Sequence, residues 1–212
     1  MDSCVTAAVA ALDHDLAFLH ADYGQRTEDK ERACFQALAE HFGAARRLVV
    51  SFPALAAIGG SSLTDRAIPV QEGPPPPGIP SSYVPFRNAH LLAAATSWGE
   101  VLGAAAIFVG AVWEDSSGYP DCRPEFYRAF QEAIRLGTRP ETSIAVVTPV
   151  IGLTKGQIVT RGLELGAPFD KTWSCYQAED EACGACDSCR LRLKGFAEAG
   201  ARDPIPYRRQ AG

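Results

Sequence analysis

Four cysteines fall within fifteen residues near the end of the chain, Cys175-x7-Cys183-x2-Cys186-x2-Cys189, and a fold has to bring them to one point. Thiolates at this spacing suit a tetrahedral Cys4 site, with zinc as the first choice and an iron–sulfur cluster as its rival. Two Cys-x2-Cys steps share Cys186, which makes four unrelated buried thiols the weaker alternative. Four thiolates leave no open position for water, so one structural zinc ion per chain is expected rather than a catalytic one. The remaining cysteines, Cys4, Cys34 and Cys122, are expected as free thiols. Cys122 has no evident base to activate it as a nucleophile.

A chain of 212 residues has room for one sizeable core. Its 47% hydrophobic and 21% charged residues are those of an ordinary globular protein. The cysteine count of seven is odd, no signal peptide opens the chain, and no apolar run approaches the roughly 20 residues that cross a bilayer. A reduced cytoplasmic protein without a membrane partner is expected. A net charge of −5 and a pI near 5.4 argue against a broad nucleic-acid footprint. Local basic groups remain at Arg190, Arg192 and Lys194, and at Arg208 and Arg209.

Apolar spacing alternates between strand and helix. Helical periodicity covers Cys4–Leu12, Glu28–Phe42, Asn88–Leu102, Pro124–Leu136 and Thr154–Leu165, with Gly43 and Gly103 as stops and Pro124 in a first turn. Short buried strands are expected at Leu16–Ala21, Arg47–Phe52, Ala105–Val109 and Ile144–Thr148. Helices between strands imply parallel pairing, hence an α/β fold with a doubly wound, mainly parallel sheet. This core is expected over residues 1–170, followed by a zinc-binding segment over 171–200. Ligands in such sheets bind beyond the carboxyl ends of the strands. That rule selects Asp22–Arg26, Gly110–Arg123 and Thr148-Pro149. The long connection Pro53–Arg87 contains Gly73-Pro74-Pro75-Pro76-Pro77-Gly78, which cannot be regular structure. It is expected to be a lid, a binding loop or disordered.

Several stretches are hard to obtain together by chance. Asp22-Tyr23-Gly24-Gln25-Arg26, Val84-Pro85-Phe86-Arg87-Asn88 and Ser116-Ser117-Gly118-Tyr119-Pro120-Asp121-Cys122-Arg123 each combine turn formers with charge. With Asp2-Ser3, Ser61-Ser62-Leu63-Thr64, Ile68-Pro69-Val70, Gly78-Ile79-Pro80, Thr148-Pro149 and the four cysteines, they span nearly the whole chain. In this order they resemble the 7-cyano-7-deazaguanine synthase family, which makes the nitrile precursor of queuosine and archaeosine. The resemblance implies an adenine nucleotide alpha hydrolase-like fold of the PP-loop ATP pyrophosphatase type. It also implies the substrates 7-carboxy-7-deazaguanine, ammonia and ATP, the last with Mg2+. ATP would activate the acid as an acyl-adenylate, ammonia would give the amide, and a second ATP would carry the amide to the nitrile. No glutaminase domain is evident, so ammonia would come from solution.

The same resemblance assigns candidate roles. Asp2-Ser3 is either a helix cap or the tail of a Ser-Gly-Gly-x-Asp-Ser pyrophosphate loop whose strand and glycines do not precede it here. Ser3 and Lys155 would hold the phosphates, although Lys155 also reads as a solvated lysine. Asp22 would bind magnesium through water or satisfy its turn. Arg87 and Arg123 suit the substrate carboxylate or a phosphate, since a guanidinium contacts either in bidentate fashion. Asp121 would read the amino edge of the base or accept a proton from ammonia. Tyr23 and Tyr119 would stack on the base or simply pack, and Gln25, Asn88 and Asp115 complete the candidate substrate contacts. His90 reads more simply as a packed helix residue than as a base. A tRNA-modifying relative and a zinc-stabilised binding module that has lost catalysis are the alternatives. Met1 is expected to be an internal methionine of the phosphate loop, with the absent strand in the middle of the sheet. A homodimer built on an exposed helix is compatible with the sequence.

Overall fold

The computed structural model describes residues 1–73, 77–113 and 118–208; Pro74–Pro76, Asp115, Ser116, Ser117 and Arg209 lie outside the described residues. Helix α1 (Asp2–Ala10) opens the chain and buries Cys4, Val5 and Ala8. Strand β1 (Ala17–Asp22) follows, then α2 (Glu28–His41) and β2 (Arg46–Ser51). The first turn of α2 carries Glu28, Asp29 and Glu31 at the positive end of the helix dipole. β1 and β2 pair in parallel, from Ala17 opposite Arg46 to Asp22 opposite Ser51. The long connection contains a helix that periodicity did not reveal, α3 (Pro53–Ile58), with proline at its first position.

Helix α4 (Arg87–Leu102) ends where Gly103 turns into the left-handed region at φ 65°. It leads to β3 (Ala106–Phe108), α5 (Pro124–Gly137) and β4 (Ala145–Val147), and β3 and β4 are again parallel. Helix α6 (Lys155–Glu164) starts with a capping box, Thr154 accepting from the Gln157 backbone while Gln157 accepts from Thr154. Helix α7 (Asp187–Glu198) starts inside the cysteine cluster, with Cys186 at its N-cap.

Among the described residues the strands form two parallel pairs, β1–β2 and β3–β4, not one continuous sheet. Alternation dictates parallel pairing within each β–α–β unit, but tertiary packing sets how the units meet. Here residues of both β1 and β3 face a common cavity.

The main core joins Val5 of α1, Val112, Val150, Ile158 and Val159 of α6, Phe169, and Phe196 of α7. Helix α7 therefore shares its core with α1 and α6. Burial of Arg192, 1% exposed, also removes it from the surface basic group expected with Arg190 and Lys194. α6 and α7 approach closely because both present glycine. A Cβ on Gly195 would stand 2.8 Å from the Lys155 carbonyl oxygen and 2.9 Å from its carbonyl carbon. Backbone cannot swing aside as a flexible side chain does, so Gly195→Ala is expected to lower stability by about 1–3 kcal/mol. Urea denaturation with an unchanged m-value would check this.

Candidate active site and metal centre

A cavity of about 680 Å³ lies against β1 and β3, with α1 and α4 contributing to its walls. One part of it is built around Arg87, the first residue of α4. Phe86 before it is the one non-glycine among the described residues with positive φ, 57°, and this strained turn sets where the helix begins. Arg87 Nη1 donates to the Tyr23 hydroxyl at 2.9 Å, and the guanidinium lies 5.4 Å from the Tyr23 ring centroid. Burial pushes the Tyr23 phenol up to about 12 against the opposing charge of Arg87, so it is protonated at neutral pH. The Tyr119 hydroxyl donates to Ser82 Oγ at 2.9 Å and lies 3.3 Å from the Tyr176 hydroxyl. His90 packs edge-on against Phe52 and Phe86, as expected of a helix-packing residue.

Another part of the cavity is built around the first turn of α1. Lys155, 7% exposed, donates Nζ to Asp2 Oδ2 at 2.7 Å, which ties the start of α6 to the start of α1. A Cβ on Gly110 would stand 2.6 Å from the backbone nitrogen of Ser3. Gly110 follows β3, so only glycine lets the helix terminus seat on that strand's carboxyl end. This is where a helix dipole attracts an anion in open α/β sheets.

The four cysteine sulfurs lie within 4.8 Å of one another, and the Sγ atoms of Cys183 and Cys189 are 3.9 Å apart. Four thiolates about 2.3 Å from one zinc ion would be about 3.8 Å apart, whereas a disulfide needs about 2.05 Å. Backbone N–H groups of Gln177 and Cys183 point at Cys175 Sγ (3.4 and 3.3 Å), and those of Ala185 and Cys186 at Cys183 Sγ (3.4 and 3.3 Å). Amide donors aimed at sulfur stabilise thiolates. The donor set therefore fits a metal ion. Gly184, at φ 72°, makes the turn between Cys183 and Cys186. Glu72 bridges to Cys186 and Tyr207 to Ala182, so flanking segments clasp the loop from both sides.

The family model described as Queuosine biosynthesis protein QueC matches residues 1–200. The chain belongs to this family. Curated relatives named 7-cyano-7-deazaguanine synthase cover 98% of the chain. The one from Chlorobium phaeobacteroides (strain DSM 266 / SMG 266 / 2430) is 56% identical over 210 residues and is itself 92% covered. Those from Chloroherpeton thalassium (strain ATCC 35110 / GB-78) and Koribacter versatilis (strain Ellin345) are 55% and 57% identical, with 93% and 89% of their lengths covered. Among the described residues, no helix of this QueC-family chain is long and apolar enough to cross a membrane.

Of the candidate residues, Asp2, Ser3, Tyr23, Arg87, Asn88, Tyr119 and Lys155 line the cavity. Asp22, Gln25, Asp121 and Arg123 are not among its lining residues. Asp22 is paired with Arg32, with His20 Nε2 3.2 Å from its other oxygen. Gln25 turns inward, accepting from the Tyr23 backbone at 2.8 Å and donating to the Ala21 carbonyl. Asp121 caps α4 from outside the helix by accepting the Asn88 N–H at 2.9 Å, while Asn88 Nδ2 donates to the Asp121 carbonyl. Arg123 is exposed and donates to the Pro120 carbonyl. Asp115 lies outside the described residues. Cys122 is pushed up to about 11 by burial and then by Asp121, so it is a thiol at neutral pH and a poor nucleophile.

Periodicity and motif spacing missed Glu31, Tyr176 and Ser188 in the cavity wall. Glu31 accepts from Thr27 Oγ1 at 2.8 Å and Gln25 Nε2 at 3.4 Å, and burial raises its carboxyl above the usual range. In the sequence it is one more acid in a charged helix start, with no signal to separate it from Glu28 and Asp29. Arg26 was also missed as a clamp. It donates to the carbonyls of Ser62, Asp65 and Ile68 at 2.6, 3.1 and 2.9 Å, holding the Ser61–Ile68 turn against β1's end.

Proposed function

We propose that this chain is a 7-cyano-7-deazaguanine synthase, an ATP-dependent carbon–nitrogen ligase that turns 7-carboxy-7-deazaguanine and ammonia into the nitrile. The observation that carries the reading is that one cavity is lined by well-packed cations, among them Arg87 and Lys155, held in separate side-chain networks. Near-complete coverage of relatives bearing that name supports it independently.

In this reading an oxygen of the substrate carboxylate attacks the α-phosphate of ATP, and pyrophosphate leaves. Ammonia adds to the acyl-adenylate, loses a proton, and AMP departs to give the amide. The amide oxygen attacks a second ATP, again releasing pyrophosphate. Loss of two N–H protons and AMP then leaves the nitrile. ATP supplies both leaving groups, so no protein nucleophile is needed, which agrees with the protonated Cys122. The chain contributes alignment, charge and exclusion of water from the adenylates. Arg87 holds the substrate carboxylate. Lys155, with the first turn of α1 at Asp2 and Ser3, neutralises the pyrophosphate. Magnesium arrives with ATP. Asp22 and Gln25 organise the turn after β1, and Asp121 and Asn88 anchor the start of α4, so these four act by positioning. Arg123 is left outside the chemistry.

Glu31 takes the role first given to Asp121, accepting hydrogen bonds from the amino–imino edge of the base. A buried carboxylate kept for a ligand costs stability in its absence. Its raised pKa means that the folded protein binds the Glu31 proton more readily than the unfolded chain does. That preference penalises folding once the pH is high enough to ionise the residue. Glu31→Gln is therefore expected to melt at a higher temperature than wild type at pH 7. The gain should fade as the pH falls into the ordinary carboxylate range, while affinity for the acid drops at neutral pH. Calorimetry across that range, with titration of the acid, checks both halves.

Zinc is the ion assigned to the four thiolates. The two strand pairs are read as halves of one doubly wound sheet of the PP-loop type. Residues 171–200 serve as the clasp of the domain spanning 1–170, in a cytoplasmic enzyme. The deciding experiment supplies 7-carboxy-7-deazaguanine, ATP, Mg2+ and ammonium and follows AMP, pyrophosphate and the nitrile mass. Acid-dependent AMP release with nitrile formation is expected. Nucleotide binding without acid-dependent AMP would overturn the reading, and no ATP binding at all would favour a binding module.

A further inference from the structure

The metal loop builds part of the cavity as well as closing the fold. Ser174 and Tyr176 flank the ligand Cys175, and Ser188 precedes the ligand Cys189; all three line the cavity. Tyr176 packs against two clusters at once. One contains the cysteines with Ala178, Ala182 and Ile205, and the other contains Tyr23, Leu55, Leu63 and Val84. Its hydroxyl lies 3.3 Å from that of Tyr119, which donates to Ser82 Oγ at 2.9 Å. The hydroxyls thus link Tyr176, Tyr119 and Ser82, from the metal loop into the wall that also holds Tyr23 and Arg87.

We propose that Tyr176 contacts the substrate base and that the metal centre fixes its position through the neighbouring Cys175. This rests on the reading of the cavity as the deazaguanine site. A phenol is suited to a flat bicyclic base, because its ring offers an apolar face and its hydroxyl a hydrogen bond at one edge. A tyrosine beside a metal-bound thiolate has little backbone freedom, so a ligand meets it already ordered. The donor chain can also reverse, since each member both gives and accepts one proton. Tyr176 can therefore face either a carbonyl or an N–H of the base without leaving a buried partner unpaired.

The test is calorimetric titration of 7-carboxy-7-deazaguanine, and separately of ATP, into full-length wild type, Tyr176→Phe and Tyr176→Leu. Bound metal and melting temperature are measured on each protein. Tyr176→Phe removes only the hydroxyl, and about 3- to 10-fold weaker binding of the acid is expected. Tyr176→Leu removes the aromatic face as well and should weaken it by about 10- to 100-fold. ATP affinity, metal stoichiometry and the melting temperature of Tyr176→Phe should match wild type. Unchanged affinity for the acid in both variants would overturn the proposal. So would losses that appear only together with lost metal or a lowered melting temperature, which mark a purely structural tyrosine. Failure of wild type itself to bind the acid overturns the reading of the cavity and this inference with it.

Discussion

Cys186→Ala is expected to lose its folded C-terminal segment before its chemistry can be measured. Cys186 is fully buried, supplies one of the four sulfurs, and is the N-cap of α7. The strand bridge to Glu72 is made at Cys186, and the next residue back, Ala185, accepts from the Gly73 N–H. Structural zinc contributes about 10–16 kcal/mol of apparent binding energy in small zinc domains, which is folding energy because the unfolded chain holds no site. A domain of this size is stable by only about 5–15 kcal/mol in total, so losing even a third of the metal's contribution is severe. The melting temperature should fall by about 10–20 °C. Stripping the wild type with a chelator should produce a comparable loss, reversed by adding the ion. Acidification should also release it, because thiolates must be deprotonated to bind. A soluble Cys186→Ala protein that melts like wild type and lacks only activity would contradict a structural centre.

The expected elements are largely present, each shifted by a residue or two, because their signals are local. Gly103 stops α4, Pro124 opens α5, and the Thr154–Gln157 box starts α6, all from residues within one turn. The two helices that went unseen had their signals masked. α3 has only six residues within a loop rich in glycine and proline, and α7 lies under cysteine spacing that speaks first of a metal. The division into two strand pairs was not legible, because it depends on how β–α–β units pack and not on any one segment. Within the site, motifs located the right loops but not which side chain of each loop faces inward. Asp22-Tyr23-Gly24-Gln25-Arg26 illustrates this: Tyr23 lines the cavity, while Asp22 and Gln25 are consumed by Arg32 and by backbone. A turn's hydrogen bonds have to be known before its outward residues can be told from its internal ties. Arg192 shows the reverse error, since a basic residue between Arg190 and Lys194 reads as surface and is fully buried.

That burial makes Arg192→Ala the other substitution with a large expected effect. The guanidinium grips Asp203 through two parallel contacts, Nε to Oδ2 at 2.7 Å and Nη2 to Oδ1 at 2.9 Å. Its remaining donors reach Thr172 Oγ1 at 2.7 Å, Ser174 Oγ at 3.4 Å and the Phe169 carbonyl at 3.1 Å, and the guanidinium carbon lies 5.4 Å from the Phe196 ring centroid. Tyr207 donates to the same carboxylate at 2.7 Å, so one cation links α7, the turn after α6 and the C-terminal strap. Arg192 and Asp203 side chains are 1% and 3% exposed. Removing the cation alone leaves the buried Asp203 carboxylate without a counter-ion, which costs about 3–5 kcal/mol, far more than a surface pair. Lysine should not rescue the loss, because an ammonium cannot make the bidentate contact and reach the three further acceptors as well. Arg192→Leu combined with Asp203→Leu should recover much of the stability, since the pair's net value is small once both desolvation penalties are removed. Denaturant melts of the two single variants and the double variant measure this coupling. A double variant as unstable as the sum of the singles would mean that Arg192 stabilises by packing over Phe196 and not through the ion pair.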